Sequence, residues 1–247
     1  MARAQRRRRT PSGAELAVGD FARYDLGRAG RTGAPEVVLA EGKDADHLVA
    51  ILRALATKGH AALISRLGPK MRRRLAREAR AGLPVTLLAG GRVARLDGRA
   101  GPAVSGVVAL VSAGTADAAI ASEASAVLEF GGATVVRAFD VGVAGIHRLA
   151  RALARLERAH PSVYLVFAGR EGALPTVVAG LVRAPVVGVP TSVGYGRGGR
   201  GEAALGSMLQ SCAPIAVVNI DAGVPAALFA LQVLAGGASA GPRRRHP

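Results

Sequence analysis

With 247 residues, 33 Lys and Arg against 17 Asp and Glu, and a formal net charge of +16, the chain has room for one large domain or two small ones, and it carries a cation excess suited to anionic partners. A single cysteine excludes an intramolecular disulfide, and no Cys/His spacing resembles a zinc site, so the sequence predicts a reducing, cytoplasmic setting. Half the residues are hydrophobic but only 3% are aromatic and Trp is absent, so the core has to be built from Ala, Val and Leu, which favours a regular α/β body.

The opening segment, MARAQRRRRTPSG, has the positive start of an export signal without the apolar stretch that should follow, and residues 1–19 read as a basic, disordered tail. Next, PEVVLAEG offers a short β-branched strand. KDADHLVAILRALATKG repeats apolar residues at helical spacing and stops at Gly59. HAALISRL suggests a second strand, GPKMRRRLAREARAG a very basic helix, and LPVTLLAGGRVARL a strand pair about Gly90 and Gly91. Together these predict a small α/β domain over residues 20–100, closed by the Gly/Pro-rich joint DGRAGPAVSG.

From Val104 the pattern becomes strand, small-residue turn, helix, and it recurs. GVVALVSA, ATVVRAFD, SVYLVFAG, APVVGVP and IAVVNID are apolar throughout and are separated by helix-length connections, which predicts a doubly wound parallel sheet over residues 101–236. Residues 237–247 read as a second basic tail. Two uncharged stretches, Ala203 to Ile220 and Ala222 to Pro242, approach the ~20 residues that span a bilayer. Both are interrupted by Gly, Pro, Ser or Gln and Asp221 separates them, so they read as buried core and no membrane partner is expected. Arg6–Arg9, Arg72–Arg74 and Arg243–Arg245 lack the interleaved aromatics that stack on bases; they read as solvated tails and a solvated helix face, with no nucleic acid expected.

In a doubly wound sheet, ligands bind at the carboxyl ends of the strands, and unusual residues cluster there. SAGTAD, with Ser112, Gly114, Thr115 and Asp117, is either a phosphate cradle of backbone amides or an ordinary tight turn with Thr115 or Asp117 as a helix cap. In FDVGVAGIHRL, Asp140 ends a strand, and His147 and Arg148 near a helix start either reach an anion or lie on the surface. In AGREGALPTVVAGL, Gly169 and Gly172 bracket Glu171 in a loop, where it is placed as a general base needs to be or is a solvated charge. PTSVGYGRGGRGEAALGSM, with Ser192 and Tyr195, suits a lid over an anionic substrate or a flexible connector. Cys212, in LQSCAPIAVVNID, follows a helix and precedes the last strand, as a small hydrophobe or as a reactive thiol.

SAGTAD, DVGVAGIHRL, GREGALPTVVAGL, PVVGVPTSVGYG and SCAP followed by VVNID, in that order and spacing, resemble the LarB family, the carboxylase/hydrolase that begins nickel-pincer nucleotide synthesis. The resemblance covers about Val104 to Asp221, and FARYDLGRAGRTGAPEVVLAEGK ahead of it is family-like. The second domain of that family is similar to PurE, a carboxylase or mutase of purine synthesis, and so implies a flavodoxin-type fold. PurE proteins carry a histidine two residues before the Pro of their LPG segment, where this chain has Ala173, and they lack a cysteine in the stretch corresponding to QSCAP.

The resemblance implies that nicotinic acid adenine dinucleotide and carbon dioxide, supplied as bicarbonate, become pyridinium-3,5-biscarboxylic acid mononucleotide and AMP. Cys212 would add to the ring and make it nucleophilic, and Glu171 would remove the ring proton. Ser112, Gly114, Thr115, Asp117, Asp140, His147, Arg148, Gly169, Ser192 and Tyr195 are the substrate-binding candidates. Mg2+ is the implied cofactor, with Asp117 and Asp140 as candidate ligands, and a homo-oligomer, an octamer among the options, is expected. Two departures stand out: no glycine follows the Pro of SCAP, and NIDAG replaces the family's NIDNG. A PurE-type aminoimidazole ribonucleotide carboxylase/mutase, or a non-catalytic nucleotide- or RNA-binding protein, are the alternatives.

Overall fold

The computed structural model describes residues 15–239. The Arg6–Arg9 and Arg243–Arg245 clusters lie outside the described residues. Strands β1 (Glu15–Val18) and β2 (Ala22–Asp25) form an antiparallel hairpin turning at Gly19 and Asp20. The expected tail over 1–19 is therefore corrected: 15–18 is a strand, because the Gly-Asp turn lets ELAV pair with ARYD. A five-residue helix α1 (Arg28–Thr32) leads to β3 (Val37–Leu39) and helix α2 (Ala45–Thr57). Asp44 caps α2, its carboxylate accepting from the amides of Asp46 and His47. Then come β4 (Ala62–Ser65), α3 (Pro69–Arg80) with proline in its first turn, β5 (Val85–Leu88) and β6 (Val93–Leu96).

Strands β3, β4, β6 and β5 form a mixed sheet in that order, parallel only between β3 and β4. The apolar stripe of α2 (Leu48, Ile51, Leu52, Leu55) packs with Met71 and Leu75 of α3 against Ile64, Val85, Ala94 and Leu96. On α3, Arg73, Arg77 and Arg80 are exposed, whereas half-buried Arg72 donates to the Gly90 carbonyl and half-buried Arg74 pairs with Asp46 and Glu78, so the Arg72–Arg74 run is a solvated face only in part.

The second region runs β7 (Val107–Ser112), α4 (Ala118–Phe130), β8 (Thr134–Ala138), α5 (Ile146–Leu156), β9 (Val163–Ala168), α6 (Leu174–Ala179), β10 (Val186–Pro190), α7 (Glu202–Leu209), β11 (Ile215–Val217) and α8 (Gly223–Ser239). The five strands are parallel in the order β11-β10-β9-β7-β8, so the winding reverses between β7 and β9, as in the flavodoxin-type fold. Alternate residues serve opposite faces. Val108, Leu110, Leu165, Phe167, Val187 and Val189 meet α4 and α8, while Ala109, Val111, Tyr164, Val166 and Val186 meet α5, α6 and α7. The uncharged stretches beyond Ala203 are thus α7, β11 and α8. No helix among the described residues is long and apolar enough to cross a membrane. Residues 237–239 belong to α8 rather than to a tail, because the helix continues through Gly236 and Gly237.

The two regions share a core, since Ala34, Leu63 and Val93 pack into the cluster built on α4 and α8. Polar contacts cross the same boundary. The buried carboxylate of Glu123 on α4 accepts the Arg66 amide at 2.8 Å, and the Arg66 guanidinium donates to the Asp221 carbonyl at 3.2 Å.

Candidate active site

Where the strand order reverses, the loops after β7, β8, β9 and β10 surround a cavity of about 590 Å3, within the range typical of small-molecule sites. Its walls are Ala113–Asp117, Asp140 and Gly142–Ala144 with Arg148, Ala168–Glu171 with Leu174, and Val193. A smaller recess of about 220 Å3, lined by Arg170, Glu171, Tyr195, Gly198 and Ala203, adjoins it. Arg170 and Glu171 therefore form a partition that belongs to both spaces.

The loop after β7 is held from within. Asp117 is 4% exposed, and its carboxylate accepts the Thr191 hydroxyl at 2.5 Å and the Gly114 amide at 2.8 Å. Asp117 occupies the position before α4 but makes no side-chain cap. Ser112, fully buried, donates its hydroxyl to the Gly114 carbonyl and accepts the Asp140 amide, tying the first two loops together. That leaves Thr115 and Ala116 as the solvent-facing residues of SAGTAD at the cavity wall, next to the start of α4.

The other walls follow from backbone necessity. Gly169 lies so close to the next loop that a Cβ there would sit 2.0 Å from the Val193 carbonyl oxygen. That contact is sealed by the Arg170 amide donating to the same oxygen at 3.2 Å. Asp140 adopts a left-handed backbone (φ 58°), and Arg148 clasps it through its carbonyl at 2.9 Å and its carboxylate at 3.3 Å. Glu171 is well exposed, with its carboxylate 3.8 Å from the Arg170 guanidinium. Arg170 also donates to the Tyr195 hydroxyl at 2.9 Å and lies 4.8 Å from the centre of that ring.

Of the residues singled out in the sequence, Gly114, Thr115, Asp117, Asp140, Arg148, Gly169 and Glu171 converge on the main cavity, and Tyr195 lines the recess. Ser112 supports the loops without lining the cavity. His147 is exposed and lines neither space, and Ser192 uses its amide to bind the Asp221 carboxylate at 2.9 Å. Cys212 stands elsewhere. It is exposed and lies three residues before Ile215, which pairs with Val186, the first residue of β10. Its neighbour Ser211 accepts the Thr176 hydroxyl of α6 at 2.8 Å, and the thiol itself lines neither the cavity nor the recess.

The Gly-rich stretch is a compact turn in this structure: 194–201 doubles back, with Gly201 in a left-handed conformation packed under Ile220 and the Thr191 carbonyl. Sequence reasoning passed over Arg170, Thr191 and Val193, although the tripeptide after the strand PVVGVP and the residue beside Glu171 were the signals available.

The candidate Mg2+ ligands do not make a preformed site. Both Asp117 oxygens are taken by Thr191 and Gly114, Asp140 is paired with Arg148, and no group of three His, Cys, Asp or Glu among the described residues is arranged to hold a metal. The cations that face the cavity are the guanidinium groups of Arg148 and Arg170.

Comparison with known proteins matches both halves of the chain. Residues 107–241 match the AIR carboxylase family, and residues 16–90 match the LarB/PurE-like N-terminal domain. An uncharacterized protein of Methanocaldococcus jannaschii is 38% identical over 84% of this chain and 82% of its own length. The N5-carboxyaminoimidazole ribonucleotide mutase of the same organism is 33% identical over 52% of this chain and 79% of its own length. With the two matched domains in series, and the second of them the parallel sheet that holds the cavity, the chain belongs to the LarB family, whose PurE-like domain makes it an enzyme of carboxylase/mutase type.

Proposed function

We propose that this enzyme carboxylates the pyridinium ring of nicotinic acid adenine dinucleotide and hydrolyses its phosphoanhydride, giving pyridinium-3,5-biscarboxylic acid mononucleotide and AMP, as the first step toward a nickel-pincer nucleotide. The observation that carries the reading is Glu171, an exposed acid on the partition between two adjoining spaces flanked by arginines, in a chain that has Ala173 where the mutases keep histidine. A bilobed anionic substrate suits that partition, with one lobe on either side of the acid.

An aromatic pyridinium is electron-poor and does not attack carbon dioxide. A thiolate adding to the ring converts it to a neutral enamine whose ring carbon is nucleophilic; that carbon bonds to carbon dioxide, a base removes the proton there, and the sulfur leaves with its electron pair as aromaticity returns. Glu171 is the base in this scheme, a role worth about 10²–10⁴ in rate. Hydrolysis adds water across the phosphoanhydride and releases AMP, with Arg148 and Arg170 neutralising the phosphate charge.

Cys212 is the only thiol in the sequence, and it is not among the residues that line the cavity. In this reading a second copy brings its Cys212 to the cavity. Two features support such an assembly: Leu209, one turn before Cys212, is 67% exposed, and β11 leaves one edge of the sheet unpaired. The cytoplasm is the proposed setting, since the thiol has to stay reduced.

A second reading, an aminoimidazole nucleotide carboxylase or mutase, is favoured by the similarity to the archaeal mutase. The deciding experiment incubates the protein with nicotinic acid adenine dinucleotide, labelled bicarbonate and Mg2+ and weighs the products. We expect the dicarboxylated mononucleotide from wild type and none from Cys212→Ser. Turnover of an aminoimidazole nucleotide that survives Cys212→Ala would establish the second reading instead.

A further inference from the structure

The amino-terminal domain contributes no residue to the cavity, yet one of its side chains reaches the cavity wall through two links. Arg66, just after β4, has a left-handed backbone (φ 54°), and so does Asp221, after β11 (φ 55°). That region is uncommon for residues with a Cβ, and both turns are held by hydrogen bonds. The Arg66 amide is fixed by the buried Glu123 carboxylate, and its guanidinium donates to Glu41 at 2.7 Å and to the Asp221 carbonyl at 3.2 Å. Asp221 in turn donates its amide to the Pro190 carbonyl at 2.9 Å, and its side chain accepts the Ser192 amide at 2.9 Å. Thr191 and Val193, on either side of Ser192, bind Asp117 and the Arg170 amide, in the two loops after β7 and β9 that line the cavity.

We propose that Arg66 is a positioning residue through which the amino-terminal domain sets the Thr191–Val193 segment, and with it the spacing between the Asp117 and Arg170 walls. The guanidinium fixes the left-handed turn at Asp221, the Asp221 carboxylate is thereby aimed at the Ser192 amide, and the segment cannot slide along β10. Glu41 supplies the control, because it pairs with the same guanidinium and, among the described residues, makes no hydrogen bond of its own to Asp221 or Ser192.

The test uses the full chain and its Arg66→Ala, Arg66→Lys and Glu41→Ala variants, with two readouts: hydrogen exchange resolved at the Ser192 amide, and the dissociation constant for nicotinic acid adenine dinucleotide. Loss of one charge-assisted hydrogen bond predicts exchange at Ser192 faster by about tenfold in Arg66→Ala, with the dissociation constant raised by a similar factor. Arg66→Lys, which retains a donor for the Asp221 carbonyl, recovers part of both, and Glu41→Ala leaves both within twofold of wild type. Ser192 exchange within twofold of wild type in Arg66→Ala would overturn the proposal. Equal acceleration in Arg66→Ala and Glu41→Ala would also overturn it, by reducing Arg66 to general domain docking. The ligand arm rests on the dinucleotide reading; a wild-type protein that ignores the dinucleotide would sink that reading, and the exchange at Ser192 would still decide the role of Arg66.

Discussion

Glu171 lines the cavity and Cys212 does not: the acid follows β9, and the exposed cysteine precedes β11 beside Ser211, which accepts the Thr176 hydroxyl at 2.8 Å. If both act on one ring, the two residues come from different copies. Mixing Cys212→Ser with Glu171→Gln protein under conditions that exchange subunits should then restore carboxylation that neither variant performs alone. Activity of the mixture no higher than the sum of its parts would show that the pair is not shared.

The hydroxyl of Thr191 is the partner of a nearly inaccessible Asp117 oxygen. Thr191→Val keeps the shape and leaves that oxygen unsatisfied, at a cost of about 1–3 kcal/mol. Denaturant unfolding should show a lowered midpoint with an unchanged slope, and AMP affinity should fall because the loop after β7 loses its anchor.

A methyl group at position 169 would collide with the Val193 carbonyl. Gly169→Ala has to push the two loops apart, at about 1–3 kcal/mol, and because backbone rather than a flexible side chain is struck, no rotamer relieves it. We expect weakened AMP binding with secondary structure preserved by circular dichroism. The same change at Gly206, a half-buried position of α7 with nothing within 4 Å of a new Cβ, should be silent.

Acid should loosen the amino-terminal domain. The guanidinium groups of Arg74 and then Arg53 hold Glu78 below the ordinary carboxylate range, Arg31 does the same for Asp25, and the α2 amides do it for Asp44. Depressed folded values mean that this stabilisation is complete above the unfolded carboxylate pKa of about 4 and is lost as pH falls through the folded values. Thermal unfolding followed between pH 6 and pH 3 should show the loss confined to the lower part of that range, and Glu78→Gln should flatten it.

Arg148 and Arg170 are the cations facing the cavity, so AMP binding should weaken as salt rises. Each single alanine variant should reduce affinity by about tenfold and also reduce the salt dependence, because the screened charges are then fewer. Arg73→Ala, on the solvent side of α3, should change neither.

The parallel sheet was legible because its three inner strands are apolar on both faces, and uninterrupted runs such as SVYLVFAG and GVVALVS have no other home than between two helix layers. The cavity loops were legible for a related reason: in a doubly wound sheet strand direction alone sends Asp117, Asp140 and Glu171 to one edge. Position along the chain says much less about which side chains line one space, and Cys212, for all its nearness to the last strand, lines neither the cavity nor the recess. Asp221 was visible only as the charge between two apolar stretches; its role needed the turn that brings Arg66 to its carbonyl, a contact between residues 155 positions apart. The hairpin at Glu15 was hidden by the basic segment before it, whose charge set the reading for residues that in fact pair.

Helix α8 covers α4 with Ala226, Ala227, Ala230 and Leu231, in the cluster that also takes in Leu63 and Val93 from the first domain. On the ribosome, that surface stays bare until residues beyond 223 have emerged, although every strand of both sheets precedes them. A nascent chain with residues only as far as Ile220 outside the exit tunnel would present a finished sheet with an oily flank, so that burial of this flank waits for α8.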